Sequence, residues 1–255
     1  MRVAALSSGS SGNCFYINNN HKSILIDAGI SCKRVLNRLA LLGENPEKIH
    51  GIFVSHEHAD HVKGVDVLAR RFNIPIFATA GTIRNSFLCS DETLINPIKD
   101  DETIKLGGME IQAFSKKHDA AQPVSFAIRN GKMISVITDI GKACENVIGS
   151  VENSDFLIIE SNHDLRMLED WPYPYFLKEK IKSDRGHLSN LHAGLCVLEH
   201  AKSKLKNVVL AHLSEINNTP NMAFSTFSLL MKERLDLKPR ISVSTRWENT
   251  PLFGI

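Results

Sequence analysis

Short apolar runs separated by polar turns dominate the chain, with longer amphipathic stretches between them. VAAL (3–6), NCFYI (13–17) and KSILIDAG (22–29) predict strands in an antiparallel opening, and the SSGSSGN between the first two reads as a hairpin-type connection. SCKRVLNRLALLG then has the apolar spacing of a helix, starting from a Ser31 cap and stopping at Gly43. IHGIFVSH predicts a strand that ends in histidine, HVKGVDVLARRFN a helix, and PIFATA another strand. ETIKL, MEIQAFSKKH, SFAIRN and KMISVITDIG form a second group of strands, with turns at GG and NG. A helix (KACENVIGSVEN), a strand (DFLIIESNH), a longer helical region through Ala201, a strand (NVVLAHLS), a helix (MAFSTFSLLMKERL) and a closing strand (RISVST) complete the pattern.

Two strand groups without regular βαβ alternation favour two packed sheets with helices outside over a doubly wound sheet. No linker, charge run or fixed-period repeat divides residues 1–255, so one domain is the simplest organisation. With 43% hydrophobic and 23% charged residues the composition is that of a soluble globular protein. The net charge of +2 is too small to mark a nucleic-acid binder; KEKIKSDR and KSKLK read as solvated helix faces. No run reaches the roughly 18 apolar residues of a membrane span, and MRVAALSSG is no signal peptide, which points to the cytoplasm. The five cysteines are odd in number and never in a C-x-x-C pair, so neither a disulfide framework nor a zinc knuckle is indicated.

Chemistry concentrates in SHEHADH, residues 55–61. His56 and His58 lie two apart at a strand end, where period-two geometry sends both rings to one side, and Asp60 and His61 follow as the chain turns into a helix. A lone histidine is usually structural. Three with an aspartate at one strand end make a metal site the better reading, because burying four such groups without a partner is costly. His118, Asp139 and His212 each lie just past a later apolar run. Together the seven suffice for a dinuclear centre with a shared carboxylate, and imidazole with carboxylate suits zinc or manganese, with iron a third option.

LIDAG, HEHADH, HDAAQPVSFAI, ITDIG, ESNHD, DRGHLSN and AHLSEINN together resemble the metallo-β-lactamase superfamily, and within it the WalJ/YycJ/VicX exonuclease branch related to ribonuclease Z and the β-CASP nucleases. The resemblance implies an αββα sandwich of two mixed sheets with outer helices. It assigns His56, His58 and His118 to one metal, Asp60, His61 and His212 to the other, and Asp139 as the bridge. It places Asp27 behind the ligands, orienting histidines; a capped turn before Gly29 is the blander role. It also implies a proton-donating pair at the leaving group, His187 held by Glu160. His163 and Asp164 are further candidates at the same rim, Asp164 with helix capping as its alternative. The Gly/Ser loop, through Ser8, Ser10 and Asn13, would face a phosphate, or need Gly9 or Gly12 for positive φ. Trp171 and the rest of DWPYPYF could stack on a base or simply pack.

The function implied is a phosphodiesterase in which a hydroxide held between two divalent ions attacks phosphorus, acting on nucleic acid and, given the short chain, on DNA ends. Ester, lactone or thioester hydrolysis by the same centre is the alternative, and a non-catalytic metal-stabilised protein the third. No membrane partner is expected; a homo-oligomer stays open.

Overall fold

In the computed structural model, which describes residues 1–255, the chain forms two seven-stranded sheets. The first takes β1 (Arg2–Ser7), β2 (Cys14–Asn18), β3 (Ser23–Ile26), β4 (Ile49–Phe53), β5 (Ile76–Thr79) and β6 (Ile95–Ile98). The second takes β7 (Thr103–Leu106), β8 (Met109–Ser115), β9 (Val124–Asn130), β10 (Lys132–Ile137), β11 (Phe156–Glu160), β12 (Asn207–Ala211) and β13 (Arg240–Val243), and β14 (Phe253–Gly254) returns to pair with β1. Both sheets are mixed. β1–β2–β3 and β7–β8–β9–β10 run antiparallel, while β3–β4–β5–β6 and β10–β11–β12–β13 run parallel.

The continuous apolar runs follow from burial on both faces. In β2, Phe15 and Ile17 point between the sheets to meet residues such as Phe126 and Ile128 of β9, while Cys14 and Tyr16 face the helix layer. That layer is α1 (Cys32–Leu41), the short α2 (Ala59–Val62), α3 (Val65–Phe72) and α4 (Ala80–Asn85). Over the second sheet lie α5 (Glu145–Asn153), α8 (Asn190–His200) and α9 (Pro220–Met231), with α6 (Leu165–Asp170) and α7 (Tyr175–Lys182) between α5 and α8 in the chain. The expected αββα sandwich is therefore present, with the Ser31 cap of α1 in place: its side chain accepts from the Arg34 N–H.

Four local expectations are corrected. The helix read over HVKGVDVLARRFN is two pieces meeting at Gly64, and the region up to Ala201 is three helices, interrupted where Pro172 and Pro174 follow α6 and where SDRGHLS follows α7. β6 was hidden by Pro97, which an edge strand tolerates because one side of its backbone needs no partner. β4 ends at Phe53, so the histidines of SHEHADH leave a loop and not a strand.

Candidate metal centre

The site is assembled where strands stop. Asp27 follows β3, SHEHADH follows β4, and β8, β10, β11 and β12 deliver His118, Asp139, Glu160 and His212 at or just beyond their carboxyl ends. Asp27, Asp139 and His212 have φ of 59°, 55° and 55°, a left-handed backbone that residues with side chains rarely adopt and that persists only where the surroundings fix it. Here they do: the Asp27 N–H donates to Phe53 O at 2.8 Å and the His212 N–H to Ser8 Oγ at 2.8 Å. These turns swing the three side chains to one rim.

Main chain holds the ligand loop. Asn13 N–H donates to Asp60 O at 2.8 Å, Ala28 N–H to His61 O at 2.9 Å, and Gly64 N–H to Ala28 O at 2.7 Å. The segments lie so close that a Cβ at Gly29 would meet Asp60 O at 1.6 Å, and one at Gly64 would meet Ile30 O at 2.0 Å.

Three overlapping groups of potential ligand atoms result, the third being Asp139, Glu160, His187 and His212. His56, His58 and His118 converge, with His56 Nε2 at 3.0 Å and His118 Nε2 at 3.4 Å from His58 Nδ1. Asp60, His61, Asp139 and His212 form the second group, all but Asp60 buried. Asp139 spans the two: its Oδ1 lies 3.8 Å from His118 Nε2 and 3.4 Å from His212 Nδ1, and its Oδ2 lies 3.2 Å from His61 Nε2. Two of these buried atoms, Asp139 Oδ2 and His212 Nε2, make no hydrogen bond. Convergent imidazole nitrogens and orphaned buried polar atoms are what a cation site requires and a packed core avoids. The residues therefore fit divalent metal ions.

Carboxylates behind the ligands set their tautomers. Asp27, fully buried, accepts from the Ser55 N–H at 2.7 Å and the Ser55 hydroxyl at 2.9 Å, and from His61 Nδ1 at 2.7 Å, which turns His61 Nε2 toward the site. Glu160 Oε1 accepts from His187 Nδ1 at 2.8 Å and His212 Nδ1 at 2.7 Å, while Oε2 accepts the N–H groups of Ile140 and Leu188 at 2.8 and 3.1 Å. Burial alone would raise Glu160, but His187 and His212 hold its carboxyl down at about 2, so it stays a fixed anion. Such partners fix ring orientation and raise ligand basicity.

The two groups differ in charge. Burial pushes His56 well below the ordinary histidine value and His118 down to about 4. Burial opposes charge on His61 and His212 as well, yet Asp139 with Asp27 and Asp60 drives His61 well above, and Asp139 with the nearby Asp60 and Glu160 carboxylates pushes His212 up to about 10. The same histidines hold the Asp139 carboxyl far below its usual range despite burial.

The remaining expected residues take definite places. Asn13 Nδ2 reaches Asp60 Oδ2 at 3.1 Å and lies 3.2 Å from His61 Nε2; its Oδ1 accepts from Ser8 Oγ at 3.0 Å. The SSGSSGN loop is ordered beside the ligands, with Gly9 and Gly12 both at positive φ (139° and 152°) and Ser10 exposed at its tip. Asp164 caps α6, accepting from the Arg166 and Met167 N–H groups at 3.0 Å. His163 is buried and set apart from both ligand groups.

Two residues were not anticipated. The hydroxyl of Ser55 sits 2.9 Å from His56 Nδ1 as well as on Asp27, linking ligands of both groups. Lys116 is buried with Nζ donating to Thr138 O at 2.7 Å, and burial lowers its affinity for a proton against the opposing charge of Asp139 and the other carboxylates of the site. Its place two residues before His118 in strand-end spacing was the only signal.

Comparison with known proteins agrees with this architecture. The family model described as Beta-lactamase superfamily domain matches residues 22–213. Exodeoxyribonuclease YycJ of Bacillus anthracis is 34% identical over 242 residues, covering 92% of this chain and 90% of that protein. Exodeoxyribonuclease WalJ of Streptococcus pneumoniae is 35% identical over 231 residues, 88% of this chain and 86% of that protein. Among solved structures, the metallo-beta-lactamase fold protein YhfI of Bacillus subtilis superposes with a TM-score of 0.72 at 16% identity over 98% of both chains. The short form of human tRNase Z gives 0.67 at 15% identity over the whole of both; these two likenesses concern the fold. From the strand-end ligands, the two mixed sheets and these matches, the chain belongs to the metallo-β-lactamase superfamily, in the branch that holds YycJ and WalJ.

Proposed function

We propose that this chain is a metal-dependent exodeoxyribonuclease that hydrolyses phosphodiester bonds at DNA ends with two divalent ions, zinc or manganese. His56, His58 and His118 would hold one ion, Asp60, His61 and His212 the other, and Asp139 both. When bound, the ions supply water of lowered pKa and positive charge against the phosphodiester oxygens. The observation that carries the reading is the Glu160–His187 pair set against both ligand groups, the His187 ring centroid lying 5.3 Å from that of His118 and 5.2 Å from that of His212. Hydrolysis of an activated ester needs no such pair, whereas a departing sugar oxygen needs a proton.

Glu160 takes the Nδ1 side of His187, so Nε2 is the atom that delivers a proton to the leaving oxygen. The His187 side chain is 27% exposed, within a substrate's reach, whereas Glu160 is wholly buried and acts through it. Asn13 and Ser8 steady Asp60 and the His212 backbone, and the exposed Ser10 tip of that loop is free to meet a phosphate. The names of the relatives, both exodeoxyribonucleases, support DNA as substrate.

The test offers purified protein with Mn²⁺ or Zn²⁺ end-labelled single- and double-stranded DNA, RNA, and p-nitrophenyl esters. Nucleotide release from DNA ends is expected. Turnover confined to esters, or inactivity with two ions demonstrably bound, would overturn the reading.

A further inference from the structure

Beside His187 lies a cavity of about 450 Å³ walled by α5, the His163–Leu165 turn, the end of α7 and α8. Its floor is apolar, made by Ile148, Leu195 and Cys196. His163 lines it with 1% of its surface exposed, and its Nδ1 is buried with no hydrogen-bond partner. Burial holds this imidazole neutral, with a pKa near 4. The charges around the cavity are largely spoken for: Lys142 faces Asp184 at 3.7 Å, Lys182 binds Glu169 at 2.7 Å, and His200 lies 3.8 Å from Glu199. Both lysines of the wall thus already face a carboxylate. A flat, uncharged body with apolar faces and a polar edge would fit, and the volume is in the lower range of small-molecule sites.

We propose that this cavity is a nucleoside subsite, taking the base and sugar joined to the leaving oxygen, with the base on the Ile148–Leu195–Cys196 floor and its polar edge on His163 Nδ1. His187 is the wall shared with the ligand groups, so an occupant here places its sugar oxygen beside the group that protonates it. The inference rests on the nuclease reading. It adds a reason for action at ends, since the cavity has room for one nucleoside and not for a duplex.

The metal-loaded full chain, labelled with ¹⁵N, is titrated with deoxyadenosine and separately with inorganic phosphate. Deoxyadenosine should shift the amides around Leu165 and Cys196 and phosphate alone should not. Leu195→Trp, which fills the floor, and His163→Phe, which keeps the ring but removes its nitrogens, should each weaken deoxyadenosine binding by about tenfold or more. Each should also raise KM for labelled DNA by more than it raises KM for bis(p-nitrophenyl) phosphate, which has no nucleoside. If phosphate competes for the same amides, or both variants bind and cleave like the parent, the subsite is wrong. Deoxyadenosine bound in the cavity of a protein that cleaves no phosphodiester would instead uphold the subsite and sink the nuclease reading.

Discussion

The two ligand groups are built on opposite electrostatic plans. His56, His58 and His118 meet with only Asp139 as a carboxylate neighbour at 3.8 Å, and burial leaves His56 and His118 neutral, ready to bind a cation without first losing a proton. Asp60, His61, Asp139 and His212 form a knot of anions and imidazoles backed by Asp27 and Glu160, in which His61 and His212 are held charged. One group is shaped by desolvation, the other by charge. A cation entering the second displaces protons and gains the full attraction of buried carboxylates, so its affinity is the more dependent on residues that never touch it.

Substituting Asp139, the residue common to both, should have the largest effect. Asp139→Ala is expected to empty both groups and lower DNA cleavage by more than the roughly 10–100-fold typical of a supporting residue; metal content by mass spectrometry of the native protein reads this directly. If one ion stays fully bound, Asp139 serves only that group. His187→Ala should leave both ions in place yet slow cleavage by about 10²-fold or more, the scale of a lost general acid. Loss of metal in that variant would make His187 a ligand and redraw the division.

Asp27→Asn sharpens the contrast. It removes the charge behind His61 and should weaken one ion by about 10–100-fold while the His56–His58–His118 ion keeps its affinity, as resolved by competition with a chelator. Equal weakening of both would mean the groups are not independent, which the shared Ser55 hydroxyl makes a serious alternative. Asp164→Ala is the outside control. Removing this cap of α6 should cost about 1 kcal/mol in denaturant unfolding, with metal content unchanged.

The candidate ligands were legible because their chemistry is concentrated: four of the seven occupy one heptapeptide, and the others each end an apolar run. Period-two geometry was the wrong reason for pairing His56 with His58, since β4 stops at Phe53 and the rings are brought together by the turn into α2, with His58 at its cap position. Glu160 and His187 were found through likeness to known nucleases, and the structure puts them 2.8 Å apart. Ser55 and Lys116 were missed because one serine or lysine at a strand end has no pattern of its own; burial made Lys116 unusual, and burial is a property of the fold. The fold itself was readable from two-faced apolar strands, less so the helical region through Ala201, where apolar spacing continues across the breaks at Pro172, Pro174 and SDRGHLS. His163 shows the limit most clearly, because its orphaned nitrogen exists only in relation to surrounding walls.

The crowding at positions 29 and 64 carries an unexpected implication for genetics. Neither glycine has a side chain to offer any reaction, yet a single added methyl at either would collide with a neighbouring carbonyl and push the histidine-rich loop aside. A saturation screen for activity should therefore rank these two silent positions with the ligands themselves. Intolerance to substitution would then mark where peptide backbones touch, as much as where chemistry occurs.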